Sequence, residues 1–308
     1  MASTPADPEL DPILRSVPGW ADAELEVEPL EGGITNRNYL VRTDGQAYVL
    51  RVPGRDTELL GIDRANELRA ARVAADAGVG PEVVAFLPAL GSFVSRFVPG
   101  AHIPMTDLRD ERVLEHVVAS IRRLHACPPI PSSFNPFRIV ETYFATASSR
   151  GVTVPPEYDE AHAVADRIEA AFERSPSPLT TCHNDLLNAN FLRDGSHVWI
   201  VDYEYAGMGD VFFDLGNLSV NNDLDDAARE VLLDRYFLGD VRDRHRARLT
   251  LMSLMSDFRE AMWGVVQQAI SALDVDFVDY AERHFRRLLG AAAEMPMDEL
   301  LATAEEPI

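Results

Sequence analysis

The hydrophobic pattern of this chain changes once, at Pro99-Gly100. Before that point apolar residues mostly alternate with polar ones, which is typical of half-buried strands. After it they recur every three or four residues, which is typical of amphipathic helices. The pattern predicts a two-lobed α+β fold. Residues 1–96 would form a small antiparallel-sheet lobe with one helix, and residues 97–308 a larger, mainly helical lobe.

The predicted elements are short strands in the first lobe and long helices in the second. Asp44-Gly45 is a hairpin signal between two strands, and Gly78 closes the helix of the first lobe. Gly207-Met208-Gly209 is predicted to be a turn. Strands are expected near 25–30, 38–43, 47–52, 83–86, 92–98, 190–192 and 198–201, and helices near 58–80, 107–129, 156–175, 224–238, 245–271 and 276–293.

All 28 basic residues are arginine, and the sequence contains no lysine. A P-loop requires the lysine of its Gly-Lys-Ser/Thr motif, so that nucleotide site is excluded. Schiff-base chemistry and a protein kinase with a lysine on its third strand are excluded for the same reason. A long cationic side chain that contacts phosphate must therefore be an arginine, whose guanidinium can grip phosphate at two points.

Fifty acidic residues give a net charge of −22. Without a basic patch the sequence predicts no nucleic-acid partner. The net negative charge has two interpretations: it keeps the protein soluble, or its field attracts a cationic substrate. No apolar run approaches the ~18 residues of a membrane span, and the N-terminus has no signal-peptide pattern. With only two cysteines there is no disulfide framework. We expect a cytoplasmic protein without a membrane partner, and leave open whether it forms a homodimer.

The segment HNDLLNANFLRDGSHVWIVDYEYAG contains three polar residues at suggestive intervals. Asp185 is followed five residues later by Asn190, and an apolar strand then leads to Asp202. This is the spacing of a kinase catalytic loop, in which the aspartate orients the substrate hydroxyl and the asparagine binds magnesium. One carboxylate and one amide are oxygen ligands that Mg²⁺ prefers. The alternative is a hairpin whose Asn and Asp residues cap turns.

The first lobe contains residues that could complete a phosphate site. The Gly-Gly turn EGGITN would bring backbone N–H groups and Asn36 over phosphates. Arg51 lies on the third strand, where a kinase has its lysine, and Glu67 lies on the following helix, where a kinase has the glutamate that pairs with it. The alternative is that both charges are solvated at the surface. Their order along the chain favours the phosphate site.

These motifs together resemble the choline/ethanolamine kinase family within the aminoglycoside phosphotransferase superfamily, from about residue 30 to 290. The segments HNDLLNANFL, IVDYEYAGMGDVFFDLGNL and RVPG are most similar to the choline kinase branch. The resemblance implies a protein-kinase-like fold, with Asp185 as catalytic base and Asn190 and Asp202 as magnesium ligands. It further implies that Arg51 binds ATP phosphate and that the backbone around Phe97 forms the hinge that meets adenine.

The resemblance also implies a pocket for an ammonium group. Choline kinases use a tyrosine that matches Tyr205 and a tryptophan that matches Trp263. A second tryptophan corresponds to Val266, and an acidic residue and its aromatic neighbour correspond to Asn221 and Asn222. Half of the aromatic box is therefore missing, which favours a smaller amine such as ethanolamine. Glu204 is a further candidate for substrate binding, and Asp274, Asp276 and Tyr280 are weaker candidates for the rim.

We therefore expect an ATP- and Mg²⁺-dependent kinase that phosphorylates the hydroxyl of a small cationic amino alcohol, of the choline or ethanolamine type. Three alternatives remain. The acceptor could instead be thiamine, an aminoglycoside or an amino sugar. The chain could be a catalytically silent nucleotide-binding scaffold, although Asp185, Asn190 and Asp202 are all present. A hydrolase that uses Glu204 with Asp202 would leave the first lobe unexplained.

Overall fold

The computed structural model describes residues 10–30, 36–54, 57–271 and 273–307. The described residues begin with a short helix, followed by a five-stranded antiparallel sheet in which the fifth strand along the chain lies between the third and the fourth. The strands and helices of this part are α1 (Leu10–Ser16), β1 (Glu26–Leu30), β2 (Asn36–Thr43), β3 (Gln46–Pro53), α2 (Arg64–Asp76), β4 (Val83–Leu87) and β5 (Ser92–Arg96).

The hairpin between β2 and β3 has the predicted turn. Asp44 and Gly45 both have positive φ, at 50° and 72°, and Thr43 pairs with Gln46 on either side of them. Two positive φ values match the right-handed twist of the strands, which is why Asp-Gly is favoured there. The turn sets a register in which Arg51 lies opposite Asn38 on the neighbouring strand.

Helix α2 begins six residues later than the sequence pattern indicated. A 3₁₀ turn covers Thr57–Leu60, and Gly61 then takes a left-handed φ of 77°, which interrupts the helical path. The side chain of Asp63 accepts hydrogen bonds from the N–H groups of Ala65 and Asn66 and so caps the new helix. The predicted helix from residue 58 is therefore wrong at its start, because a glycine and a capping aspartate split it.

The rest of the chain is mainly helical, with short strand pairs that hold its loops. A hairpin of Phe191–Asp194 and His197–Ile200 is joined by Ala101–His102, and Thr180–Cys182 pairs with Gly207–Gly209. The elements are β6 (Ala101–His102), α3 (Glu111–His125), α4 (Pro136–Ser149), α5 (Glu157–Arg174), β7 (Thr180–Cys182), β8 (Phe191–Asp194), β9 (His197–Ile200), β10 (Gly207–Gly209), α6 (Val211–Asn221), α7 (Asp226–Phe237), α8 (Asp243–Ile270), α9 (Phe277–Glu294) and α10 (Met297–Ala304).

Gly207–Gly209 is a strand and not the predicted turn. It pairs antiparallel with Thr180–Cys182, directly before the loop that carries Asp185. A Cβ on Gly207 would lie 2.9 Å from the backbone nitrogen of Phe134. The glycine is therefore present because another backbone passes close by, and a sequence pattern cannot separate that reason from a turn.

Helix α8 is the centre of the larger part and packs against α4, α6, α9 and α10. The hydrophobic core around α8 also includes apolar residues of α2, such as Ala70 and Ala74. A second, smaller core lies between α1 and the sheet, around Trp20, Val41 and Leu50. These elements confirm the α+β class. The boundary predicted between residues 96 and 97 stays a prediction. None of the helices in the described ranges has the length and apolar character of a membrane span.

Candidate active site

Helix α6 fixes the backbone of the loop that follows β7. The Asp214 carboxylate accepts the backbone N–H groups of His183 and Asn184, at 2.8 and 2.6 Å. One turn further along α6, Asn217 accepts the N–H of Leu186 at 2.5 Å. Asn184 has a left-handed φ of 65°, which asparagine tolerates better than most residues. The loop is therefore held at three backbone N–H groups, and the side chain of its residue 185 is presented from a fixed position.

The charge of Asp214 is stabilised inside the protein. Burial by itself would raise the pKa of this carboxyl group, but its hydrogen bonds and the nearby histidines outweigh burial and hold the pKa below its usual value. The partner that lowers the pKa most is His125, whose Nε2 lies 2.9 Å from the carboxylate. Asp214 is thus an anion beneath the loop. It was not among the predicted site residues, although its place in the first turn of α6 marks it as an N–H acceptor.

The Asp185 carboxylate lies beside a buried arginine. Its Oδ1 accepts from Nη2 of Arg259 at 3.1 Å, and Asn190 donates to its backbone oxygen at 2.8 Å and approaches its Oδ2 at 3.4 Å. Burial raises the pKa of Asp185 to about 7, Arg259 opposes this, and the carboxylates of Glu260 and Asp202 add to it. The protonation state of Asp185 therefore depends on which cations lie nearby.

Asn190 and Asp202 lie on neighbouring segments of the β8–β9 hairpin. The N–H of Val201 donates to the backbone oxygen of Asn190 at 3.0 Å, which fixes the two segments side by side. Asp202 has a left-handed φ of 70° and pairs with Arg51. A carboxylate that is partly exposed and an amide oxygen next to a second carboxylate form a donor set that suits Mg²⁺. The residues present therefore fit the predicted metal.

Arg51 brings the sheet, α2 and the 202–204 turn together. Its Nη1 lies 3.0 Å from Glu67, and its Nη2 contacts Asp202 and lies 3.2 Å from Glu204. Burial would lower the pKa of this guanidinium, but the three carboxylates outweigh it and hold the pKa above the usual value. The predicted pairing of the strand cation with the helix acid is therefore present in the structure.

The structure places Glu204 with this cluster and not with the predicted substrate residues. Its Oε2 accepts from Asn36 at 2.9 Å and lies 3.3 Å from Nη1 of Arg64. Arg64 also pairs with Glu67 at 2.7 Å. The prediction that Glu204 binds the acceptor substrate is therefore not supported by its contacts, which are with Asn36, Arg51 and Arg64. Arg64, a second guanidinium of the cluster, was not predicted.

Tyr205 and Trp263 are joined, as expected for two sides of one pocket. The indole Nε1 of Trp263 donates to the Tyr205 hydroxyl at 3.0 Å. The Trp263 ring meets Tyr280 and Phe277 edge to face, with centroids 5.6 and 5.8 Å apart. Tyr280, one of the weaker candidates, therefore belongs to this aromatic group. Asp276 instead caps helix α9 through the N–H of residue 279.

A buried acid, Glu260, completes this group. Its Oε1 accepts from Asn221 at 3.2 Å and from Arg259 at 2.5 Å, and its Oε2 accepts from the Tyr280 hydroxyl at 2.7 Å. Only 3% of Glu260 is exposed. Asn221, a predicted site residue, therefore contacts this group by donating a hydrogen bond to Glu260. A carboxylate among aromatic rings is a surrounding in which an ammonium group binds favourably.

Comparisons with known proteins agree with this geometry. The sequence profile of the phosphotransferase enzyme family matches residues 26–250. The chain belongs to the phosphotransferase enzyme family. It is 34% identical to a choline/ethanolamine kinase family protein from Mesorhizobium loti, whose crystal structure superposes with a TM-score of 0.83 over 96% of this chain and 98% of that one.

Two more distant proteins extend the comparison. Human ethanolamine kinase 2 is 28% identical over 316 residues, covering 91% of this chain and 80% of its own length. Choline kinase LicA from Streptococcus pneumoniae is 21% identical, with a TM-score of 0.76 over 88% of this chain and 95% of that one, and so shows the fold alone. The predicted relationship to choline/ethanolamine kinases, the protein-kinase-like fold and the phosphotransferase class are thereby confirmed.

The structure does not test two of the predictions for the nucleotide site. The residues 31–35 of the Gly-Gly turn lie outside the described residues. Phe97 is 39% exposed, and its backbone N–H donates to the oxygen of Ala47 at 3.0 Å, which prolongs the pairing of β5 with β3. A hinge contact between this segment and adenine stays a prediction.

Arg259 and Glu260 were missed by the sequence predictions, although a signal for them exists. Glu260 precedes Trp263 by three residues on α8, so the two side chains lie on the same face of the helix. An Arg-Glu pair inside a largely apolar helix segment is unusual, because buried charges need partners. That pattern could have pointed to a polar site on the buried face of α8.

Proposed function

We propose that this member of the phosphotransferase enzyme family transfers the γ-phosphate of ATP to the hydroxyl of a small cationic amino alcohol, of the ethanolamine or choline type. One observation carries the proposal. The Asp185 carboxylate contacts Asn190, one of the two proposed metal ligands, and is linked through Arg259 to Glu260 of the acidic aromatic group. An acceptor bound in that group would present its hydroxyl to Asp185.

In this proposal each side of the site has a separate task. Asp185 accepts a hydrogen bond from the acceptor hydroxyl and holds its oxygen in line with the phosphorus. Asn190 and Asp202 hold Mg²⁺, which when bound neutralises charge on the phosphates. Arg51, already tied to Glu67, contacts phosphate. No covalent intermediate on the protein is needed.

On the acceptor side, Glu260 supplies the negative charge and Tyr280 and Trp263 supply the aromatic edges around it. The group has fewer aromatic side chains than a full box, since Val266 stands where a second tryptophan was expected and is fully buried in the core. A carboxylate that accepts hydrogen bonds favours an ammonium that carries N–H groups over a fully methylated one. We therefore place ethanolamine-type acceptors first.

The test is Mg²⁺-dependent ADP release with ethanolamine, its N-methylated derivatives, choline, thiamine and two aminoglycosides as acceptors. We expect turnover with an amino alcohol, and a loss of about 10²-fold or more in kcat for Asp185→Asn with ATP binding retained. Turnover with thiamine or an aminoglycoside alone would contradict the proposed acceptor. Near-normal turnover of Asp185→Asn would remove Asp185 from the mechanism.

A further inference from the structure

Arg259 is one of the most deeply buried charged residues of the protein, with 2% of its side chain exposed. Its Nη2 donates to two atoms of the catalytic loop, the backbone oxygen of Asn184 at 2.9 Å and Oδ1 of Asp185 at 3.1 Å. Its Nη1 contacts Glu260 at 2.5 Å, and its guanidinium lies 4.6 Å from the centre of the Tyr205 ring. Both terminal nitrogens of the guanidinium are therefore held, whereas its buried Nε has no hydrogen-bond partner among the described residues.

We propose that Arg259 is a positioning residue, which fixes the Asp185 carboxylate in the orientation that phosphoryl transfer needs. The inference rests on the proposed role of Asp185. An aspartate χ2 angle is broad and roughly two-fold, so the carboxylate plane has no strong preference of its own. Arg259 binds Oδ1 and thereby leaves Oδ2, on the Asn190 side, for the acceptor hydroxyl.

The geometry requires a guanidinium at this position. One nitrogen contacts both the loop backbone and the carboxylate, and the other contacts Glu260, so that the plane of the group is defined at both ends. The guanidinium also lies over the Tyr205 ring, which adds a cation–π contact on one face. A lysine ammonium is a single point of charge on a flexible chain and would not make these contacts together.

Arg259 also connects the two halves of the proposed acceptor site. Glu260 contacts Arg259 on one side and the Tyr280 hydroxyl on the other. The acidic aromatic group and the catalytic carboxylate are therefore parts of one hydrogen-bonded chain. Placement of Asp185 relative to the acceptor is set through this chain and not by the loop alone.

The experiment compares Arg259→Gln and Arg259→Lys with a matched control, Arg248→Gln. Arg248 lies on the same helix and is equally shielded from solvent, with its guanidinium 4.4 Å from the centre of the Phe172 ring. It donates to the backbone oxygen of Ala304 at 3.0 Å and to the Ser177 hydroxyl, and its carboxylate neighbour is Asp210, 3.8 Å away at the start of α6, so none of these partners lies in the catalytic loop. With saturating ATP and the acceptor that the wild type uses, we expect kcat to fall about 10²-fold in Arg259→Gln. The KM for ATP should stay unchanged, and Arg259→Lys should be intermediate.

The control should keep its kcat once the folded fraction is taken into account. Crystal structures of the variants supply a second result that does not depend on the acceptor. In Arg259→Gln the Asp185 carboxylate should leave its wild-type orientation, whereas in Arg248→Gln it should keep it. A wild type that is inactive with every acceptor, together with a displaced Asp185 in Arg259→Gln, would refute the proposed function and support the positioning role.

Three results would overturn the proposal. The first is wild-type kcat in Arg259→Lys or Arg259→Gln. The second is a loss of kcat in Arg259→Gln no greater than in Arg248→Gln. The third is an Asp185 carboxylate that keeps its orientation in Arg259→Gln. If that variant does not fold, Arg259→Lys carries both the kinetic and the structural comparison.

Discussion

At the scale of single residues, the site is organised by buried charges that lack a full set of counter-ions. Asp185 pairs with one guanidinium, Arg259, which in turn pairs with a second carboxylate, Glu260. Two carboxylates therefore share one guanidinium, and 13% of the Asp185 side chain remains exposed. Burial raises the pKa of Asp185, and the neighbouring carboxylates add to the rise although Arg259 opposes it. A cationic acceptor would supply the missing positive charge.

Replacing Glu260 by glutamine tests this charge balance. We expect the KM for an ethanolamine-type acceptor to rise about 10-fold or more, because a hydrogen bond to a charged group contributes about 1.5–3 kcal/mol. The KM for ATP should not change, since Glu260 lies on the other side of Asp185. Steady-state kinetics with each substrate varied in turn gives both values.

The control for this variant is Glu230→Gln. Glu230 pairs with Arg246 at the surface, with half of its side chain exposed, and such pairs contribute little. The Glu230→Gln substitution should leave the KM values for the acceptor and for ATP unchanged. An unaltered acceptor KM in Glu260→Gln would mean that the ammonium group binds elsewhere.

The predictable residues of the site were those that lie close together in the sequence. The interval from Asp185 to Asn190 is set within one loop, so spacing alone identifies it. Contacts such as Arg64 with Glu204, or Arg259 with Asp185, join residues that are 140 and 74 positions apart. No local pattern specifies those pairings, because they depend on how whole elements pack.

At the scale of elements, the described structure differs from the sequence predictions where a helix or strand forms because of its contacts with neighbouring elements. Long amphipathic helices such as α3 and α9 were predicted because their stripes are regular. Helix α6 was not, since nearly all of its residues are buried and it has no polar face to produce a stripe. Its position depends on close contact with α8 at Gly216.

Gly216→Ala should destabilise the protein at that crossing. A Cβ on Gly216 would lie 2.7 Å from backbone atoms of Met252 and Ser253 on α8, so the helices would have to separate. Overpacking of this kind costs about 1–3 kcal/mol. Because α6 holds the catalytic loop, we expect kcat to fall as well. Chemical denaturation measures the change in the free energy of unfolding.

Gly290→Ala is the matched control. Gly290 lies in the exposed face of α9, and a Cβ there would have no atom within 4 Å. The substitution should be neutral or stabilise by up to about 1 kcal/mol, because alanine loses less backbone entropy in a helix than glycine. Equal effects of the two substitutions would show that the α6–α8 crossing adapts to the added methyl group.

At the scale of the whole molecule, the sheet and the helical part meet at a cluster of charges. Arg51 from β3 and Arg64 from α2 share the carboxylates of Glu67 and Glu204, and Arg51 also contacts Asp202 beyond β9. Side chains that join two parts of a fold also form the proposed nucleotide site. Ligand binding there should therefore stabilise the molecule as a whole.

Mg²⁺ with ATP should raise the Tm of the wild type, and Asp202→Asn should abolish the part of the rise that depends on Mg²⁺. A ligand at 100 times its Kd adds about 2.7 kcal/mol to the free energy of unfolding. Asp194→Asn, at the exposed turn of the same β8–β9 hairpin, is the control and should behave as the wild type. Thermal unfolding with ATP, with and without Mg²⁺, gives the comparison. The same Mg²⁺-dependent rise in Asp202→Asn would remove Asp202 from the proposed metal site, and since the measurement needs no acceptor, it separates nucleotide binding from turnover.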